Sequence, residues 1–204
     1  MSQPCLIISG GQFSPFALPD GAYIIACDRG YDYACRCGVT PDLVVSDFDS
    51  SQTAVEAGIP VRHLPTEKDD TDTMSALRFA LDAGYREIHL VCALGGRLDH
   101  LLANLQAAAF AALRGAQVQI HAADTEILTL RNDSIRLPRR EGWSLSIFAA
   151  EDACRGVCVR GAKYPLENAF LTNAFPLGVS NEWAGEEAEI SVEAGTLLIV
   201  QSRM

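Results

Sequence analysis

Positive charge is scarce in this chain: Lys and Arg number 16 against 26 for Asp and Glu, a net charge of −10. Proteins that coat nucleic acid neutralise its phosphates with the opposite sign, so that class is excluded. Small anions are not, because metal ions and backbone amides can hold them locally. Long apolar runs are missing as well. The N-terminal stretch MSQPCLIISGG carries no basic leader, and its apolar run, Cys5 to Ile8, is too short for a signal peptide or a membrane span. A cytoplasmic protein without membrane contact is therefore expected. The seven cysteines include no C-x2-C pair. Cys35 and Cys37 form CRC, Cys154 and Cys158 lie four apart, and no nearby histidine completes a zinc set, so reduced thiols are expected. Neither a P-loop nor a G-x-G-x-x-G fingerprint occurs, nor any internal repeat, low-complexity tract or flexible linker.

What the chain does contain is a core: 49% of its 204 residues are hydrophobic and 21% charged. A chain of this size buries roughly 70% of its unfolded surface. Two patterns divide it. Through about residue 122, apolar strand-like runs (CLIIS, AYIIACD, DLVVSD, EIHLVCAL, VQIHA) alternate with helical segments such as TDTMSALRFALDAG and LDHLLANLQAAAFAALRG. Met74, Leu77, Ala80 and Leu81 form an amphipathic stripe closed by Gly84, whereas Leu98 to Leu113 is apolar around most of its circumference, a helix for a core or a subunit contact. After residue 124 only short alternating runs follow (EILTL, SIRLP, WSLSIFA, GVCVRGA, AEISVEAG, TLLIVQS), with Gly, Asn, Asp or Pro between them. The expected fold is thus α/β: a mostly parallel three-layer domain over residues 1–124, then an antiparallel β-sandwich over 125–204.

Acidic residues gather at one edge of that scaffold. Asp28 ends one strand run, Asp47 and Asp49 end another at i, i+2, and Asp72 and Asp99 open helices. In a parallel sheet all five lie at the carboxyl edge, where open α/β folds bind ligands. One such Asp is ordinarily a cap or turn residue. Five together repel one another and call for a partner, of which Mg²⁺ bound through carboxylates and substrate phosphates is the common one. The same edge offers anion-binding elements. Gly95 and Gly96 lead through Arg97 into a helix start, Ser9 to Gly11 follow the first strand in the same way, and Lys68 stands nearby in chain order. This set suits phosphoryl-type transfer from a nucleotide, in which catalysis is mainly positioning and charge neutralisation.

Four segments, CDRGYDYACRCGVTPDLVVSDFDS, KDDTDTMSALRFAL, GGRLDHLLANL and GVSNEW, together resemble the successive signatures of the thiamin pyrophosphokinase (thiamin diphosphokinase) family, in order and along almost the whole chain. The resemblance implies transfer of diphosphate from ATP to the hydroxyl of thiamin, with AMP as the second product. It implies an ATP-binding catalytic domain, a thiamin-binding β-sandwich and a homodimer with active sites between subunits. Carried over by motif, Asp47, Asp49 and Asp72 would hold Mg²⁺, with Asp28 and Asp99 completing the acidic rim. Lys68, Gly95, Gly96 and Arg97 would meet the ATP phosphates, and Ser180, Asn181 and Trp183 the thiamin. Two positions depart from the family pattern: Arg29 stands where D-G-G is usual, and Ser46 where G-D-x-D-S usually begins. Competing readings are a diphosphokinase for another heterocyclic alcohol such as a pterin, a D-x-D metal-dependent phosphatase, and a non-catalytic Mg-nucleotide sensor.

Overall fold

The structure, a computed structural model, describes residues 3–47, 53–65 and 69–204. By internal contacts the chain divides into residues 1–123 and 124–204.

The first unit contains β1 (Cys5–Ile8), β2 (Tyr23–Cys27), α1 (Gly30–Arg36), β3 (Leu43–Ser46), β4 (Val61–His63), α2 (Asp72–Asp82), β5 (Glu87–Val91), α3 (Leu98–Leu113) and β6 (Gln117–His121). Its strands are ordered β4-β3-β2-β1-β5-β6, and every neighbouring pair is parallel. The central strand β1 is wholly buried, which suits a continuous apolar run covered on both faces. Leu6 and Ile8 pack against Ala34 of α1. Strand alternation sends Ser9 to the opposite face, where it meets Thr73 of α2. Helices therefore cover both faces, giving three layers. The strand order reverses direction beside β1, whose carboxyl end forms the crevice where such sheets bind ligands.

All three helices end in the same way. A left-handed glycine (Gly38, Gly84, Gly115) follows each cap, and paired amides return to the last turn, as in Gly84 N to Leu81 O at 3.1 Å and Tyr85 N to Ala80 O at 3.0 Å. The helix α3 differs from its sequence pattern. It buries Ala107, Ala108, Ala111 and Ala112 together with Asn104, while Leu98, Leu102 and Leu113 are exposed. Small side chains let the helix lie close to the sheet, so the leucines fall on the outer face.

The second unit contains β7 (Thr125–Arg131), β8 (Ser134–Pro138), β9 (Trp143–Ala149), β10 (Cys154–Arg160), β11 (Leu166–Leu171), β12 (Glu187–Ser191) and β13 (Thr196–Arg203). Antiparallel strands β7-β13-β9 face an antiparallel set β11-β10-β12-β8. Alternating residues from both sets form one core, including Leu130, Leu145, Ile147, Val157, Ile190, Leu197 and Ile199. The result is a β-sandwich. No helix among the described residues is long and apolar enough to cross a membrane.

Candidate active site

A cavity of about 810 Å³ opens at the carboxyl edge of the parallel sheet, and every residue lining it belongs to the first unit. Backbone geometry at the strand ends creates it. Past β1 the ladder continues through Ser9 N to Val91 O and Gly11 N to Cys92 O, both 2.9 Å, and then the chain turns away. Past β2, Asp28 adopts φ 49°, a left-handed conformation that aspartate tolerates better than most residues. The first turn of α1 then crosses directly over β1. A Cβ on Gly30 would stand 2.0 Å from Ile8 O, so no other residue fits without displacing backbone.

Three carboxylates meet in this cavity. Asp28 follows β2, Asp47 follows β3 and Asp72 opens α2, and one oxygen from each lies within 4.8 Å of the other two. All three are half-buried. Asp72 is held from both sides. Thr71 caps α2 by accepting from Met74 N at 3.1 Å, and the buried Thr73 hydroxyl lies 2.5 Å from that of Ser9. The negative field is felt nearby: burial pushes the Cys27 thiol well above its ordinary pKa, and the Asp72 and Asp28 charges push it further.

These oxygens fit a hard divalent cation. Ligands of octahedral Mg²⁺ at about 2.1 Å stand up to roughly 4.2 Å apart, so small adjustments would close the three oxygens on one ion. Carboxylate oxygen is also the donor type that Mg²⁺ selects. The sequence reading grouped Asp47, Asp49 and Asp72. The structure groups Asp28 with Asp47 and Asp72, while Asp49 and Lys68 fall outside the described residues.

A glycine turn also lines the cavity. Gly95 and Gly96 have φ of 76° and 71°, so their N–H groups take directions that L-residues rarely supply. Arg97 lines the cavity, but its guanidinium is engaged with Asp99, Nη2 to Oδ2 at 2.6 Å and Nε to Oδ1 at 3.1 Å. That pairing raises the Arg97 pKa and lowers that of Asp99. Asp99 thus orients Arg97 rather than lining the cavity itself. His100 and Asn104 follow Arg97 at i+3 and i+7, on one helical face, and both line the cavity. The buried Asn104 amide donates to Ala93 O at 2.7 Å, pinning the turn that carries the glycine pair. The sequence reading missed Asn104, although its spacing from Arg97 carried the signal. It named Ser9 only as part of the turn after the first strand and missed its pairing with Thr73, which spans 64 residues and leaves no local trace.

Ser180, Asn181 and Trp183 belong to the sandwich. Ser180 is exposed at φ 58°. Asn181 is buried, accepting from Tyr164 N at 2.9 Å and donating to Tyr164 O at 2.7 Å. The Trp183 indole is 7% exposed, packs in the sandwich core and donates Nε1–H to Leu137 O at 3.0 Å. In this arrangement its ring serves packing within the sandwich core.

Comparison with known proteins decides which of the competing chemistries this site belongs to. Residues 17–120 match "Thiamin pyrophosphokinase, catalytic domain", and residues 132–197 match "Thiamin pyrophosphokinase, vitamin B1 binding domain". The chain belongs to the thiamin pyrophosphokinase family. It is 26% identical over 184 residues to the thiamine pyrophosphokinase of Bacillus subtilis (strain 168), covering 87% of this chain and 86% of that protein. Its fold is similar to the crystal structure of thiamine pyrophosphokinase from Bacillus subtilis, with a TM-score of 0.89 and 24% identity over 98% of this chain and 99% of the other. The thiamin pyrophosphokinase of Geobacillus thermodenitrificans gives 0.83 and 26%, covering 99% and 98%. An Enterococcus faecalis family protein gives 0.80 and 28%, with both chains fully covered.

Proposed function

We propose that this protein is a thiamin pyrophosphokinase, which transfers diphosphate from ATP to the hydroxyl of thiamin and releases AMP. The observation that carries this reading is the convergence of Asp28, Asp47 and Asp72 in the cavity of a chain from this family. In this reading Asp28, Asp47 and Asp72 would hold Mg²⁺, and Asp49, which lies outside the described residues, is assigned to the same ion by its motif. Bound there, the cation would supply charge neutralisation for the ATP phosphates. The amides of Gly95 and Gly96, with Arg97 and Lys68, receive the phosphates, and Asp99 keeps Arg97 oriented.

The chemistry is an in-line displacement. The thiamin hydroxyl oxygen bonds to the β-phosphorus, the bond from that phosphorus to the α–β bridging oxygen breaks, and AMP departs with the electron pair. Positioning and charge neutralisation supply most of the acceleration, and the hydroxyl proton is lost as the new bond forms. Thiamin is assigned to the segment around Ser180, with Asn181 and Trp183 shaping the turn that presents it. A homodimer in the cytoplasm, with no nucleic-acid or membrane partner, completes the proposal.

The test is to incubate the protein with ATP and Mg²⁺, with and without thiamin, and to follow AMP. AMP that appears only with thiamin supports the reading. Phosphate release without an acceptor would point to a phosphatase, AMP formed only with a pterin alcohol to another diphosphokinase, and ATP binding without AMP to a sensor.

A further inference from the structure

We infer that Arg29 grips the nucleotide's phosphates directly, as an anchor independent of the metal; this rests on the nucleotide-using reading above. Two arginines line the cavity among the described residues, Arg29 and Arg97. The guanidinium of Arg97 makes two bonds to Asp99, which leaves it fewer donors and less net charge for the phosphate it would receive. Arg29 is placed differently. It is exposed, it stands at the head of α1, and its guanidinium lies 5.9 Å from the ring of Tyr33. A cation at that distance is attracted by the ring, and a guanidinium carries its N–H donors in a planar fork that suits a phosphate. The Tyr33 platform is itself fixed, because its hydroxyl donates to Gly11 O at 2.8 Å and its ring packs edge-on to Phe13 at 5.3 Å.

Position makes the phosphate the fitting ligand. The space beside Gly10, where a side chain would otherwise stand, is 3.5 Å from Arg29 Cβ and 3.8 Å from Asp28 Oδ2. The Arg29 stem and one carboxylate of the acidic cluster therefore flank the same gap. A polyanion entering a cavity that already holds three carboxylates is opposed by like charge, and a fixed cation beside the cluster offsets that repulsion whether or not metal is present.

The experiment is calorimetric titration of ATP, and separately of adenosine, into the full chain in the presence of EDTA. Wild type is compared with Arg29→Gln and Arg29→Lys. A charge-assisted contact of this kind is worth roughly a tenfold change in affinity. Expected are about tenfold weaker metal-free ATP binding for Arg29→Gln, an intermediate loss for Arg29→Lys and unchanged adenosine binding. With Mg²⁺ present, the KM for ATP should rise while the KM for thiamin stays. ATP binding equal to wild type in both variants overturns the inference, as does an equal loss for ATP and adenosine, which would place Arg29 on the base. A wild type that binds ATP through Arg29 yet makes no thiamin-dependent AMP defeats the proposed reaction and leaves the phosphate anchor standing. Arg29→Lys keeps the charge and the helix start, so it serves if Arg29→Gln fails to fold.

Discussion

Each carboxylate in the Asp28, Asp47 and Asp72 cluster is stable alone and costly in company. Unit charges about 4 Å apart repel by roughly 1 kcal/mol in water and about 4 kcal/mol near a protein surface. A bound cation offsets that repulsion, so Asp47→Asn and Asp72→Asn should hold Mg²⁺ more weakly than the wild type. Turnover should fall by about 10²–10³-fold, since a catalytic metal contributes several kcal/mol of charge stabilisation. Mg²⁺ should raise the wild-type melting temperature and shift the variants less. Paired melting curves and AMP assays check this, and a wild type indifferent to Mg²⁺ would sink the metal assignment. The sequence placed these aspartates on one edge but did not show which three of them meet. Asp28 joins Asp47 because β2 and β3 are neighbours in the sheet, a pairing that no local pattern encodes.

At the scale of elements, the crossing of α1 over β1 sets the shape of the cavity. Gly30→Ala would drive a methyl to 2.0 Å from Ile8 O. The expected outcome is a loss of roughly 1–3 kcal/mol or more by urea unfolding, with activity impaired beyond the stability loss because Asp28 and Arg29 move with the turn. Thr71→Ala should cost about 1 kcal/mol by removing the α2 cap, and it should lower turnover by loosening Asp72. Unfolding midpoints set beside turnover numbers separate the two effects. Most elements were legible in advance, because α/β alternation and the switch to short alternating strands are local signals. Three elements gave weak local signals. β4 has three residues at the sheet edge and β11 is the edge strand of its sheet, where few neighbours impose a pattern; α1 spans barely two turns. Leu98 to Leu113 left its buried face open for a different reason. Hydrophobicity all round does not say which face is buried, and steric closeness to the sheet selected the alanines.

Over the whole molecule the seven thiols report on both units at once. Cys5, Cys27, Cys92 and Cys154 are buried, Cys158 is half-buried, and Cys35 and Cys37 are exposed. Burial pushes Cys5 to about 12 from 9.0, and Cys27 moves the same way, so these groups stay protonated and unreactive in the native state. Below pH 9 the folded and unfolded chains both keep the Cys5 proton, and its contribution to stability is fully present. Between pH 9 and about 12 the unfolded chain releases that proton while the native chain retains it, so stability falls as pH rises. The slope approaches about 1.4 kcal/mol per pH unit for each thiol titrating in the unfolded state alone. Two thiols should therefore react promptly with a disulfide reagent at pH 8, Cys158 more slowly, and the buried four only as the chain unfolds. Cys5→Ala should flatten the alkaline decline in the urea midpoint. If Cys5 or Cys27 labels as fast as Cys35 in the native protein, or if Cys5→Ala leaves the decline unchanged, the packing of the parallel sheet around β1 and β2 is not as described.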